Sequence, residues 1–393
     1  MLPYICLRSV KLTVENGTCK YSLVQIANVS FILCLQMNLS TVRTGCKIGA
    51  MAMSALDRFE CSDIKALVDL SYNMTVRIHT HPIQKCAEGL LKVRQNTFHS
   101  FLLVLVRSLT ELRLFSQAFG FGIASGDNVS AFASATQYIR LSIIGGSRLT
   151  DLLRETDKYL SLVGHHNHTL TRTYLWTFRQ TISTLIDKGA NTGRPMTNGE
   201  GSVIADSTYD GRHSETDNFH KAVQSFWLGY NERCHHYIEK LFDNNKCGRF
   251  HRLIATFYYG LNAFSLLRKG QLTASRLKQL PLEALTVLKD AEVLSKWNFR
   301  NKVFLLEAEL QSHRGNKDEA RTAYAAAITS ARASRFIHEQ GLACECAGFH
   351  CKRVGDHNQA RDFFNQAKIC YNQWGSSMKV EFCDRQMNLL KNG

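Results

Sequence analysis

Two stretches forty residues apart carry one pattern. Arg314 to Ile328 reads RGNKDEARTAYAAAI, and Val354 to Lys368 reads VGDHNQARDFFNQAK. Gly315, Ala320, Arg321 and Ala327 return as Gly355, Ala360, Arg361 and Ala367, and Tyr324 is answered by Phe364. A chain that repeats a unit of this size has to stack the copies, because one copy alone cannot bury its apolar face.

The repeated unit is helical. Ala360, Phe364, Ala367, Tyr371 and Trp374 follow one another at intervals of four, three, four and three, which is one face of a helix. Ala320, Tyr324, Ala327 and Ala331 form the matching stripe in the first copy. Asn316 with Glu319, and Asp356 with Gln359, predict capping boxes just after each glycine. The segments before the glycines, KVFLLEAELQSHR and EQGLACECAGFHCKR, read as helices too, so the unit is helix, glycine turn, helix. Small residues such as Ala308, Ala343 and Ala347 let neighbouring helices approach closely. This is the logic of the tetratricopeptide (TPR) repeat, whose period is about 34 residues. A period of forty predicts longer helices or connections.

Upstream the repeat fades but three-to-four periodicity continues, in segments 40–59, 63–79, 82–95, 101–122, 147–163, 170–186, 219–242 and 284–297. None alternates as a strand would. Only four prolines interrupt the chain, and an apolar content of 45% is enough for a buried core. The expected fold is therefore all-α, a TPR-like α-solenoid of stacked antiparallel helix pairs. Residues 11–186 and 219–384 are expected as its two halves, with clear repeats at 301–334 and 339–374. Residues 1–10 and 385–393 are read as an extension and a tail. Asp187 to Asn218, rich in Gly, Asn, Ser and Thr, is expected to be a long mobile loop.

No nucleotide-binding loop, kinase catalytic loop, zinc-protease helix or nucleophile elbow occurs, so neither an enzyme nor a cofactor is expected. Two clusters invite a metal reading. CECAGFHC gathers Cys344, Cys346, His350 and Cys351, but on a helix Cys344 and Cys346 point apart, and buried thiols explain them better. His165, His166 and His168 read as a solvated turn. No metal site is expected from either.

The net charge of +15 suits an acidic partner, yet the cations are scattered along the sequence rather than run together. Thirteen cysteines without a secretion-type leader point to reduced thiols and a cytoplasmic setting. The uncharged stretch Tyr21 to Val42 is interrupted by Gln25, Asn28, Gln36 and Asn38, and is read as a buried helix with its connection rather than a membrane span.

The residues from Glu307 to Val380 resemble the end of the TPR-like helical region of large multidomain signalling proteins. Those proteins join a serine/threonine kinase-like domain, a P-loop AAA-type ATPase, a GAF domain and a histidine kinase to such an array. The resemblance rests on Glu307-Ala308, Gly315, Ala320, Tyr324, Ala327-Ile328, Leu342-Ala343, Ala347 and the closing CYNQWGSSMKV, with Tyr371, Trp374, Gly375, Lys379 and Val380. It extends more thinly upstream, through Leu12 to Cys34 and Gly45 to Phe59, and covers about Lys11 to Asp384. The kinase and ATPase domains themselves have no counterpart in the chain. The resemblance implies a non-catalytic interaction or scaffold module, a fragment or relative of the regulatory array. Its expected partner is a protein or peptide, of acidic character or an adjacent kinase or ATPase domain. The alternative is a basic α-solenoid that binds nucleic acid. The residues expected to build the unit are Gly315, Ala320, Tyr324, Ala327, Gly355, Ala360, Phe364, Ala367, Tyr371 and Trp374.

Overall fold

The structure is a computed structural model that describes residues 2–56, 58, 64, 68, 70–87, 128–164, 169–187, 212–243, 248–270 and 274–391. The described residues are all-α, with no strand among them. They form two compact units, Met1–Ile144 with Thr156–Leu175, and Gly145–Glu155 with Trp176–Gly393.

In the first unit, α1 (Leu2–Asn16), α2 (Lys20–Cys34) and α3 (Leu39–Leu56) follow one another, and α4 (Asn128–Gly145) comes later in the chain. The uncharged stretch is split between α2 and α3, and no described helix is long and apolar enough to cross a membrane. Glycine lets α2 and α3 close on each other. A Cβ added at Gly45 would lie 2.8 Å from the Cys34 sulfur, and one at Gly49 would lie 2.6 Å from the Ser30 hydroxyl. That hydroxyl donates to the Gly45 carbonyl at 2.7 Å. Leu23, Ala27, Ala52, Leu56, Ile64 and Val68 make the core beneath.

Two helices, α5 (Leu149–Gly164) and α6 (Thr169–Ile186), are divided between the units. The second unit then runs through α7 (Arg212–Trp227), α8 (Asn231–Asp243), α9 (Arg249–Lys269), α10 (Ala274–Leu294) and α11 (Lys296–Arg314). It continues with α12 (Lys317–Ala333), α13 (Ile337–Val354), α14 (His357–Trp374) and α15 (Ser377–Leu389). Each helix packs on the next, so the pairs stack as in a solenoid. The longer period has a simple source: α11, α12, α13 and α14 are 19, 17, 18 and 18 residues long. The central helix, α9, is buried on all sides for most of its length. At Gly260 an added Cβ would sit 2.9 Å from Leu306 and 3.0 Å from Ala284, so α9 lies tight against α10 and α11. At the other end, the hydroxyls of Ser376 and Ser377 donate to the Leu185 and Ile186 carbonyls at 2.5 and 2.7 Å. These are terminal carbonyls of α6 that have no partner within their own helix.

Gly315 and Gly355 stop α11 and α13 in the left-handed region, at φ 84° and 87°. No atom lies within 4 Å of a Cβ added at Gly315. Gly315→Ala should therefore cost only backbone strain, about 1–2 kcal/mol. Urea denaturation checks this as a lower midpoint at unchanged slope, and an unshifted midpoint contradicts it.

Two local expectations need correcting. Asp356 caps α14, accepting from the Gln359 N–H at 3.1 Å, but the Asn316 side chain does not cap α12. It donates instead to the Gln311 side chain at 2.8 Å, because the chain turns back on α11 there. The expected loop from Asp187 to Asn218 is also too long. Residues 212–218 are the first turns of α7, and 188–211 lie outside the described residues. The helix is anchored where Glu215 accepts from the Gly248 N–H at 3.1 Å and Phe219 and His220 enter the core. Segment 101–122 lies outside the described residues as well.

Candidate functional site

The stripe residues Ala320, Tyr324, Ala327, Ala360, Phe364, Ala367, Tyr371 and Trp374 are all buried. They pack the array rather than display a ligand surface. Phe364 fills the space over Gly348, where an added Cβ would meet its ring at 3.0 Å. The two tyrosines do more than pack. The Tyr324 hydroxyl donates to Glu309 at 2.5 Å, and the Tyr371 hydroxyl donates to Glu345 at 2.6 Å. Arg268 of α9 also pairs with Glu309, and Lys379 of α15 with Glu345 at 2.6 Å. Burial alone would raise the Glu309 carboxyl, but Arg268 and the tyrosine hydroxyl outweigh it and hold it below its ordinary value.

A third buried carboxylate completes the series. Lys302 of α11 is fully buried and meets Glu339 of α13 at 2.7 Å, itself only 2% exposed. The Lys302 ammonium also donates to the Asn298 carbonyl at 2.9 Å, and Asn301 donates to Glu339 at 2.5 Å. The rings of Phe257, Phe299 and Phe336 stand 5.6, 5.9 and 4.2 Å from the charge. Burial pulls the Lys302 ammonium down from its ordinary value, and Glu339 works against that pull.

Next to this pair the helices converge on a ring cluster. His338 lies 5.3 Å from Trp374 and 6.0 Å from Trp227 of α7, and the two tryptophans are 4.9 Å apart. Trp227 also meets Tyr371 at 6.1 Å, with Lys379 over its face at 5.7 Å. From the turn before α5, Gly146 comes so close that an added Cβ would fall 2.2 Å from His338 Nδ1. Burial pushes the His338 imidazole down to about 4, so at neutral pH it is uncharged. The face that α13 to α15 turn toward α7 is thus filled by the chain's own Trp227 and offers no groove at that point.

The opposite situation holds at the turn edge. In an antiparallel stack, α9, α11 and α13 end on the same side, and contacts between their last turns show it. Arg268 reaches Glu309, and Arg353 donates to the Ser312 hydroxyl at 2.9 Å. Each of these helices closes on two basic residues: Arg268 and Lys269, His313 and Arg314, Lys352 and Arg353. One cause is local, since cations at a helix C-terminus are stabilised by its dipole. Arg268 is tied to Glu309, while Lys269, Arg314, Lys317 and Arg353 are exposed and Lys352 is half-buried along one edge, with Asp318 and Glu319 exposed next to Lys317. Sequence reading missed this row, because its members lie about one repeat apart and look scattered along the chain. The spacings, 45 residues from Lys269 to Arg314 and 38 from Arg314 to Lys352, depart from the period of forty, so a fixed-period comparison does not align them either.

Comparison with protein-family models, with curated proteins and with solved structures finds no match. The cysteine-rich stretch is part of the packing: Cys344, His350 and Cys351 are buried, and His350 Nδ1 is 2.8 Å from the Ser312 hydroxyl. Burial pushes the Cys344 thiol up to about 12, which opposes the thiolate that zinc requires. Among the described residues no group of three or more His, Cys, Asp and Glu is placed to hold a metal ion. His165, His166 and His168 lie outside the described residues.

Proposed function

We propose that the chain is a non-catalytic helical-repeat interaction module that docks an acidic protein or peptide along the edge formed by the ends of α9, α11 and α13. The observation that carries this reading is the recurrence of basic residues in the last turn of each of those helices, with Lys or Arg in all three, at the end of α13 away from the Trp227 cluster. A row of cations on a rigid frame attracts a complementary segment and fixes its register more than it adds raw affinity. The likeness of the repeats to the regulatory arrays of signalling proteins suits such a role, with an acidic segment of an adjacent kinase or ATPase domain as the natural occupant.

A fluorescent glutamate-rich peptide tests the reading. The triple variant Lys269→Ala, Arg314→Ala, Lys352→Ala should bind it about 10- to 100-fold more weakly, since each exposed pair contributes up to about 1 kcal/mol. The thermal midpoint should fall by only a few degrees, the loss of the dipole stabilisation at three helix ends, and the difference in binding should shrink in high salt. Equal binding by variant and parent removes the edge from consideration. A single-stranded RNA that binds far more tightly than the peptide, with a steep salt dependence, would favour the nucleic-acid alternative instead.

A further inference from the structure

The cysteines of the first unit carry a chemistry that the interaction role does not use. Cys34 closes α2 and Cys46 lies within α3, and their sulfurs stand 4.0 Å apart. The helices are already pressed together at this level. A Cβ added at Gly45, the residue before Cys46, would meet Leu33 Cβ at 3.0 Å and the Cys34 sulfur at 2.8 Å. Closing from van der Waals contact to a bond of about 2.05 Å brings the two sulfurs together by about 2 Å.

The two thiols differ in access. Cys34 is fully buried, whereas Cys46 is partly exposed. Arg43 stands one turn before Cys46 on the same helix and Lys47 follows it, both exposed. Neither α2 nor α3 contains a carboxylate. An electropositive, accessible cysteine beside a buried one is the arrangement of an attacking and a resolving thiol.

We infer that Cys34 and Cys46 are a peroxide-responsive dithiol that closes into a disulfide joining α2 to α3. Cys46 ionises, its thiolate attacks one oxygen of hydrogen peroxide, the O–O bond breaks, and the departing hydroxide takes up the proton released on ionisation and leaves as water. Cys46 is then a sulfenic acid. The Cys34 sulfur attacks the Cys46 sulfur, the S–O bond breaks, and the hydroxide leaves as a second water with the Cys34 proton. Two thiols and one peroxide give one disulfide and two waters. Both sulfurs are oxidised, and the peroxide oxygens are reduced.

The described residues of the first unit hold three further thiols, of which Cys6 is buried in α1 and raised above its ordinary value by that burial. Cys86 is buried in the same unit, and burial pushes its thiol up to about 12. Cys19 is exposed at the start of α2, and hydrogen bonds from Ser22 pull its thiol below the ordinary value. A helix of this length places Cys19 about 22 Å from Cys34, so it can reach neither partner within one chain.

The test uses the full chain, folded and reduced, then exposed to limiting hydrogen peroxide, alkylated in denaturant and cut with trypsin. The expected product is Tyr21–Arg43 joined to Thr44–Lys47, lighter by two hydrogens than the two peptides and separated by dithiothreitol. Cys46→Ser should abolish the product and leave Cys34 fully alkylated, whereas Cys86→Ser and Cys19→Ser should leave it unchanged. The inference is overturned if Cys34 in the parent protein stays fully alkylated while Cys46 becomes a sulfinic acid, pairs with Cys86 or links two chains. Circular dichroism before denaturation shows that the reaction took place in the folded protein.

Discussion

Lys302→Ala should destabilise the second unit by about 3–5 kcal/mol, because it leaves the Glu339 carboxylate buried without its counter-charge. The environment makes this loss severe. Lys302 is fully buried, Glu339 is 2% exposed, and three phenylalanine rings surround the ammonium. Water cannot reach the stranded carboxylate without opening the contact between α11 and α13. Chemical denaturation measures the effect, and a loss below about 1 kcal/mol would mean the pair is dispensable. A second variant separates charge from shape. Lys302→Met combined with Glu339→Gln keeps the volume and removes both charges, so it should recover much of the loss, as buried pairs replaced by matched neutral groups often do. If the double variant is as unstable as the single one, packing rather than charge governs the site.

Acidification below neutrality should also weaken the second unit, through His338. Its folded value, about 4, lies below the ordinary imidazole value of 6.5. The unfolded chain therefore takes up a proton that the folded chain refuses. Stability from this group is complete above pH 6.5, falls as pH drops through the window, and is lost near pH 4. The slope approaches about 1.4 kcal/mol per pH unit, for a total of about 3 kcal/mol. Glu339 favours the proton and Lys302 opposes it, but burial among Trp227, Trp374 and Gly146 dominates. His350 is also held below its ordinary value, so the parent's slope contains its share. Buried Glu309 adds acid sensitivity only below the ordinary carboxylate range, because its folded value is lowered. Comparing His338→Gln with the parent between pH 7 and 5 isolates the histidine. The variant should show a flatter dependence, and identical slopes would contradict the assignment.

Much of the architecture was legible because the repeat writes its packing in small residues. Ala320, Ala327, Ala360 and Ala367 can serve only where helices meet closely, and all four are buried. Glycine placement was equally readable, since Gly315 and Gly355 hold a backbone conformation that other residues resist. Tertiary polar chemistry was not readable. Nothing in the spacing of Tyr324 and Glu309, or of Tyr371 and Glu345, marks them as partners, because their contacts join different helices. The same holds for Lys302, which looks like a surface lysine until α13 covers it. Asn316 shows a subtler limit: its sequence context suits a cap, but Gln311 offered a better bond. The basic edge was hidden for a related reason, as only the stacking of alternate helices brings Lys269, Arg314 and Lys352 to one side.

The bonds from Ser376 and Ser377 to the last carbonyls of α6 join residues 191 positions apart. A growing polypeptide cannot make them until nearly the whole second unit has been synthesised, so its completion waits on late residues. During that interval the Trp227 ring lacks the covering that Tyr371 and Trp374 later supply. The half-made unit is therefore the species that chaperones and proteases meet. Contacts of such separation slow folding, which lengthens its exposure.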